Sequence, residues 1–156
     1  MSLNFVSIFL GRHHLQEKLF NTRYLNLERS HPEWDSERLF VETALMVSPV
    51  VNQDGSKNIP RHSTGGAVDI YLVDENFHPL EMGILVENWM TDIDGSLSRS
   101  DCNSISAEAR HNRSIMAQAM KKVGFENYFA EYWHWSYGDR YWAFMQGHSA
   151  AFYSSI

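Results

Sequence analysis

One cysteine, Cys102, stands among 156 residues. No internal disulfide can form, and nothing calls for an oxidising compartment. A thiolate-rich structural metal site is excluded too, so any bound metal must rest on His, Asp or Glu. Basic charge is also short: 13 Lys and Arg against 19 Asp and Glu leave a net charge of −6. The basic face that phosphate backbones and anionic lipids require is missing. Long apolar runs are lacking as well. The N-terminal run from Leu3 to Leu10 is broken by polar residues and follows no basic region, which makes it too short for a membrane span and poor as a signal peptide. Neither nucleic acid nor membrane is expected as a partner. The expected location is the cytoplasm, or the periplasm if a signal precedes the native start. There are no internal repeats and no low-complexity tracts.

What is present is a globular composition, 44% hydrophobic, long enough for one domain with a core of its own. Residues 1–156 are read as a single domain. Leu15, Leu19 and Phe20 have helical spacing and begin a first helix, which His31-Pro32 interrupts. Asp35-Ser36-Glu37-Arg38 opens a second helix running to about Pro49. The stretch 52–58 is a loop by composition. Ala67 to Asp74, rich in branched and aromatic residues, is a strand, and the turn Asn76-Phe77-His78-Pro79 leads to a second one at Leu80–Ile84. Residues 92–103 are a polar surface loop of the kind that can form one lip of a cleft.

The clearest helix follows, from Ser106 to Gly124. Ile115, Met116, Ala119, Met120 and Val123 make its core face, and Gly124 sits where a C-cap belongs. Phe125–Trp135 and Arg140–Met145 read as two more strands joined at Tyr137-Gly138-Asp139. The expected fold is α+β, a mostly antiparallel central sheet flanked by helices.

Two stretches carry chemistry. Arg61-His62-Ser63-Thr64-Gly65-Gly66-Ala67-Val68-Asp69 sets a histidine seven residues before a carboxylate, and Glu131-Tyr132-Trp133-His134 adds a glutamate and a second histidine. Two imidazoles and one carboxylate are the ligand set of a catalytic zinc site, with a fourth position left for water. Glu131 beside that position would be the general base. Each residue also has a plainer reading. A histidine before a strand is commonly hydrogen-bonded or exposed. Asp69 in an apolar run needs a cation, a metal or several donors. Glu131 and His134 could be a satisfied polar pair at a sheet edge; in a regular strand, residues three apart face opposite sides. His13, His14, His31, His78, His111 and His148 lack a comparable setting and are taken as surface or structural. Cys102, with no histidine pattern nearby, is not read as a nucleophile.

The segment Arg61–Asp69 resembles the Ser-x-His-x-x-Gly-x-Ala-x-Asp signature of the D-alanyl-D-alanine dipeptidases, and Glu131–His134 resembles their Glu-x-x-His signature. Glu81-Met82-Gly83, the helix around Asn112-Arg113, and the stretch 135–143 are similar to the same family, so the resemblance runs from about residue 15 to the C-terminus. It implies zinc on His62, Asp69 and His134 and Glu131 as general base. The implied activity is hydrolysis of D-alanyl-D-alanine or a similar short cell-wall dipeptide. The alternatives are a D,D-carboxypeptidase or endopeptidase on longer peptidoglycan stems, and a zinc-binding relative without peptidase activity. A small peptide is the expected partner, and oligomeric state is left open. Two departures stand out. Pro60 occupies the place of the signature's serine. The family's oxyanion arginine, in a Tyr-Arg-Pro segment, would fall at Gly11, with Arg12 one residue out of register. The family's N-terminal portion is expected to be missing from this chain.

Overall fold

The computed structural model describes residues 4–8 and 13–154, with side chains from His14 to Ser154. Arg12 therefore lies outside the described residues. In chain order the elements are β1 (Asn4–Ile8), α1 (His13–Ser30), α2 (Ser36–Met46), a 3-10 helix (Arg61–Thr64), β2 (Ala67–Val73), a second 3-10 helix (Val86–Thr91), α3 (Ala107–Lys122), β3 (Glu126–Asn127), β4 (His134–Ser136) and α4 (Arg140–Gln146). The strands form one sheet in the order β1-β2-β4-β3. Every neighbouring pair in it is antiparallel. The α+β reading holds. Among the described residues no helix is long and apolar enough to cross a membrane.

β2 is the axis of the molecule. It pairs with β1 from Asp69 to Val73 and with β4 from Ala67 to Asp69. All its residues but Val68 are buried. A strand covered on both faces shows a near-continuous apolar run instead of alternation, as Ala-Val-Asp-Ile-Tyr-Leu-Val does. Its core partners include Met82, Ile84, Met116, Tyr132, Trp133 and Trp135. β1 was not anticipated: its run was weighed only as a membrane or signal segment.

The helices are set by caps and by the core. Asp35 caps α2, its carboxylate accepting from the Arg38 N–H at 2.8 Å, and Phe20 of α1 meets Phe40 of α2 with ring centroids 5.2 Å apart. The buried Arg23 of α1 donates to the carbonyls of Asp92 and Ile93 at 2.9 and 2.8 Å. That ties α1 to the 92–103 loop.

α3 forms where expected, capped by Ser106, but its buried face is turned. Asn112 and Arg113 are buried while Val123 is 63% exposed. The cause lies in another segment. Asn112 donates to the Glu81 carbonyl at 2.9 Å, and Arg113 reaches the carbonyls of Met82, Arg99 and Leu97 at 2.7, 2.9 and 2.9 Å. The guanidinium also lies 3.7 Å over the ring of Tyr132. A buried cation with this many acceptors is a structural tie, and removing it strands three carbonyls. Arg113→Met is expected to lower unfolding stability by about 3 kcal/mol in urea denaturation, with the helix itself retained by circular dichroism.

The same contacts overturn the expected strand at Leu80–Ile84. Only a bridge between Val73 and Pro79 and one further bond, Leu80 N–H to the Leu72 carbonyl, extend the sheet there. The carbonyls of residues 81 and 82 are taken by side chains of α3, not by a strand. Gly83 then turns at φ +88°, where an added Cβ would come within 2.5 Å of Ile105.

Two further expected strands are corrected. Phe125–Trp135 is not one strand: it holds only β3 and β4, with a turn between them. The Asn127 side-chain amide organises that turn from within hydrogen-bond distance of the carbonyls of Glu131, Tyr132 and His134. Arg140–Met145 is helical. Asp139 accepts from the Trp142 N–H at 2.8 Å and Gly147 closes the helix in the left-handed conformation. The cap outweighs the strand preference of Tyr141, Trp142 and Phe144.

Candidate metal centre

Each chemical side chain is delivered by a different device. Pro60 opens the 3-10 helix at φ −58°, a value its ring imposes, and its carbonyl accepts from Ser63 through both N–H and hydroxyl. His62 is thereby held on a single short turn. Gly65 then reverses the chain at φ +71°, and Gly66 passes so close to β4 that an added Cβ would lie 2.8 Å from the Tyr137 carbonyl. Two residues suffice to carry the chain from the His62 turn into β2. Asp69, on β2, is in register with His134, the first residue of β4.

Glu131 escapes the alternation problem because it is not in a strand. It lies in the turn before β4, where the His134 N–H donates to the Glu131 carbonyl at 3.1 Å. That closure over three residues brings both side chains to one side. Glu131 Oε2 stands 3.6 Å from His134 Nδ1.

Asp69 is the hub. One of its carboxylate oxygens lies 3.0 Å from His134 Nδ1 and the other 3.3 Å from His62 Nε2. The imidazoles meet edge-on, with centroids 4.7 Å apart. One donor atom each from His62, Asp69 and His134 fall within 4.8 Å of one another. Bonds of about 2.1 Å to a tetrahedral ion imply donor separations of about 3.4 Å, so these residues fit a zinc-like ion with little movement. The donor set, two imidazoles and a carboxylate, suits the same ion. The outward nitrogens, His62 Nδ1 and His134 Nε2, are buried without a hydrogen-bond partner among the described residues.

Electrostatics in the pocket are uneven. Burial alone would raise Asp69, but the hydrogen bonds and charges of His134 and His62 hold its carboxyl well below the usual range. Burial works against the charged form of His62, and its bond to Asp69 prevails and raises it; the Ala67 backbone adds to this without forming a hydrogen bond of normal geometry. In His134 burial prevails, and the ring is held below its ordinary value. Glu131 is pushed well above the glutamate range, first by burial and then by the nearby Asp69 charge, with Arg61 and Arg23 opposing. A carboxyl raised in this way binds a proton more tightly than a free glutamate does, which suits a group that must accept one.

These four side chains line a pocket of about 200 Å³, whose walls also include Gln16, Ser48, Arg61, Glu87, Trp89 and Trp133. Arg61 received no role in the sequence reading. A cation next to a candidate ligand was the available signal. Nothing local announced Gln16 or Trp89. Among the other histidines, His78 pairs with Asp74 at 3.2 Å on the surface, 76% exposed. Cys102 stays remote from this group and faces the hydroxyl of Ser104.

An α+β fold bearing a His–Asp–His donor group, with a buried acid beside it, defines the class: a metal-site protein built like a hydrolase. The chain belongs to the D-ala-D-ala dipeptidase family of peptidases, which it matches over residues 39–152. It is also similar to the D-alanyl-D-alanine dipeptidase of a Synechocystis species, 29% identical over 94 residues covering 55% of this chain. The match spans 37% of that relative's length.

Proposed function

We propose that this protein is a zinc-dependent dipeptidase acting on D-alanyl-D-alanine or a similar short cell-wall dipeptide. The observation that carries the reading is the convergence of His62, Asp69 and His134 within 4.8 Å, with Glu131 beside them in one pocket. His62, Asp69 and His134 would hold the ion. When bound, zinc supplies Lewis acidity that polarises a carbonyl and eases the ionisation of water.

The chain's own residues do the rest. Glu131, its proton affinity raised by burial, takes a proton from the attacking water and returns it to the leaving amine. Asp69 is the carboxylate that both imidazoles face, and it would share the ion with them. Trp89 and Trp133 supply apolar wall on either side of these charged groups, and the burial of Asp69, Glu131 and His134 lowers the dielectric in which they act. A pocket of about 200 Å³ supports a substrate of dipeptide size. Family membership and the dipeptidase relative support the same choice.

The test joins metal analysis to a substrate series. Purified protein is expected to hold one zinc per chain and lose hydrolysis on chelation. It should regain activity with zinc and turn over D-Ala-D-Ala faster than a stem pentapeptide. Faster turnover of the pentapeptide would reject the dipeptidase in favour of a carboxypeptidase or endopeptidase. Bound zinc without hydrolysis of any of these peptides would reject the enzyme.

A further inference from the structure

We infer that Arg61 is the specificity-determining residue that receives the free C-terminal carboxylate of the substrate; this rests on the dipeptidase reading and deepens it. Arg61 is the one arginine or lysine among the described residues lining the metal pocket, and it also lines the adjoining outer cleft formed with Tyr141 and Phe144. It therefore stands on the wall between the two.

Among the described residues its guanidinium makes no ion pair with a carboxylate, and its only oxygen neighbour is the neutral Tyr128 hydroxyl. The ion pairs of the described residues involve Arg99 and histidines, and none reaches Arg61. The contrast with its neighbours is sharp. Arg23 gives both terminal nitrogens and Arg113 all three of its nitrogens to backbone carbonyls, and Arg140 bonds to Asn58 and the Ile59 carbonyl. Arg61 is held instead by ring faces, 4.2 Å over Tyr128 and 5.2 Å over Tyr141. Those rings are themselves pinned, the Tyr128 hydroxyl donating to the Leu45 carbonyl at 2.8 Å and Tyr141 to the Asn127 carbonyl at 3.0 Å. A cation on fixed aromatic faces keeps its planar N–H fork available and loses little freedom when an anion arrives.

The position suits a carboxylate one residue beyond the scissile bond. The Tyr128 ring contacts Arg61 and also lies 5.9 Å from the His134 ring, so the cation sits one aromatic ring away from the metal group. Successive Cα atoms are about 3.8 Å apart, so the terminal carboxylate of a dipeptide lies only a few ångström from its own peptide carbonyl. Entering the pocket strips water from that carboxylate, and a two-pronged arginine contact replaces it.

The discriminating ligand pair is D-Ala-D-Ala and its C-terminal amide, with binding measured calorimetrically on the zinc-loaded full chain carrying Glu131→Gln. The acid is expected to bind about 10- to 100-fold tighter than the amide, the range of a charged hydrogen-bonded contact. Adding Arg61→Gln should remove that preference by weakening the acid alone. Arg61→Met, which keeps an apolar stem between the two tyrosines, should do the same if the glutamine variant folds poorly. Zinc content and melting temperature report whether each variant keeps its site. Equal weakening of acid and amide, or no change in either, overturns the role. The two readings fail separately: a wild-type chain that hydrolyses nothing yet still prefers the acid through Arg61 sinks the dipeptidase alone. Hydrolysis with acid and amide bound alike sinks the Arg61 assignment alone.

Discussion

Replacing Glu131 with glutamine is expected to lower kcat for D-Ala-D-Ala by about 10²–10⁴-fold, the usual worth of a positioned acid–base group, while one zinc per chain remains bound. The split follows from geometry. Glu131 stands beside the donor group, 3.6 Å from His134, whereas Asp69 is the carboxylate both imidazoles face. Steady-state kinetics with metal analysis of the same sample checks it. Undiminished turnover would remove Glu131 from the chemistry.

The same variant carries a stability signature in metal-free protein. Burial and the Asp69 charge raise the folded Glu131 carboxyl well above its ordinary value. The unfolded chain therefore ionises first, and stability is lost as pH rises from the usual glutamate range through the raised folded value. Glutamine has no such loss. Metal-free Glu131→Gln should melt above metal-free wild type at pH 8, and the gap should close as pH falls toward 5. Calorimetric scans across that range read the effect.

The second large effect is expected at Asp69. Asp69→Ala deletes a donor and also the acceptor that both His62 and His134 face. Losing a supporting contact around a metal commonly costs 10–100-fold in affinity, so losing a ligand outright should cost more than about 100-fold. Competition against a chelating indicator measures it. Turnover should fall in parallel, because Glu131 has nothing to act beside once the ion is gone. Retained zinc affinity would mean that the His–Asp–His group is not where the metal binds.

Legibility in the sequence divides by the range of the interaction concerned. β2 was readable because its branched and aromatic run is a local pattern, and α2 because Asp35 precedes it as a cap. α3 was readable from its periodicity, yet its buried face was not. Arg113 turns inward for three carbonyls that lie 14 to 31 residues away in the chain. The error at Leu80–Ile84 has the same origin, because those carbonyls are answered by α3. At Arg140–Gln146 the signal was present and underweighted: Asp139 stands at the cap position, and aromatic content alone suggested a strand.

The site residues His62, Asp69, Glu131 and His134 could be named from two short segments, since residue type and spacing are properties of the chain itself. Their meeting could not, because it depends on which strands pair. The antiparallel register that sets Asp69 opposite His134, the Gly66 approach to Tyr137, and the turn that swings Glu131 alongside His134 are all contacts between distant segments. Local sequence chose the chemistry. Packing chose the distances, and with them the pinned tyrosines whose faces carry the Arg61 guanidinium, since only a folded chain can decide which rings meet which cations.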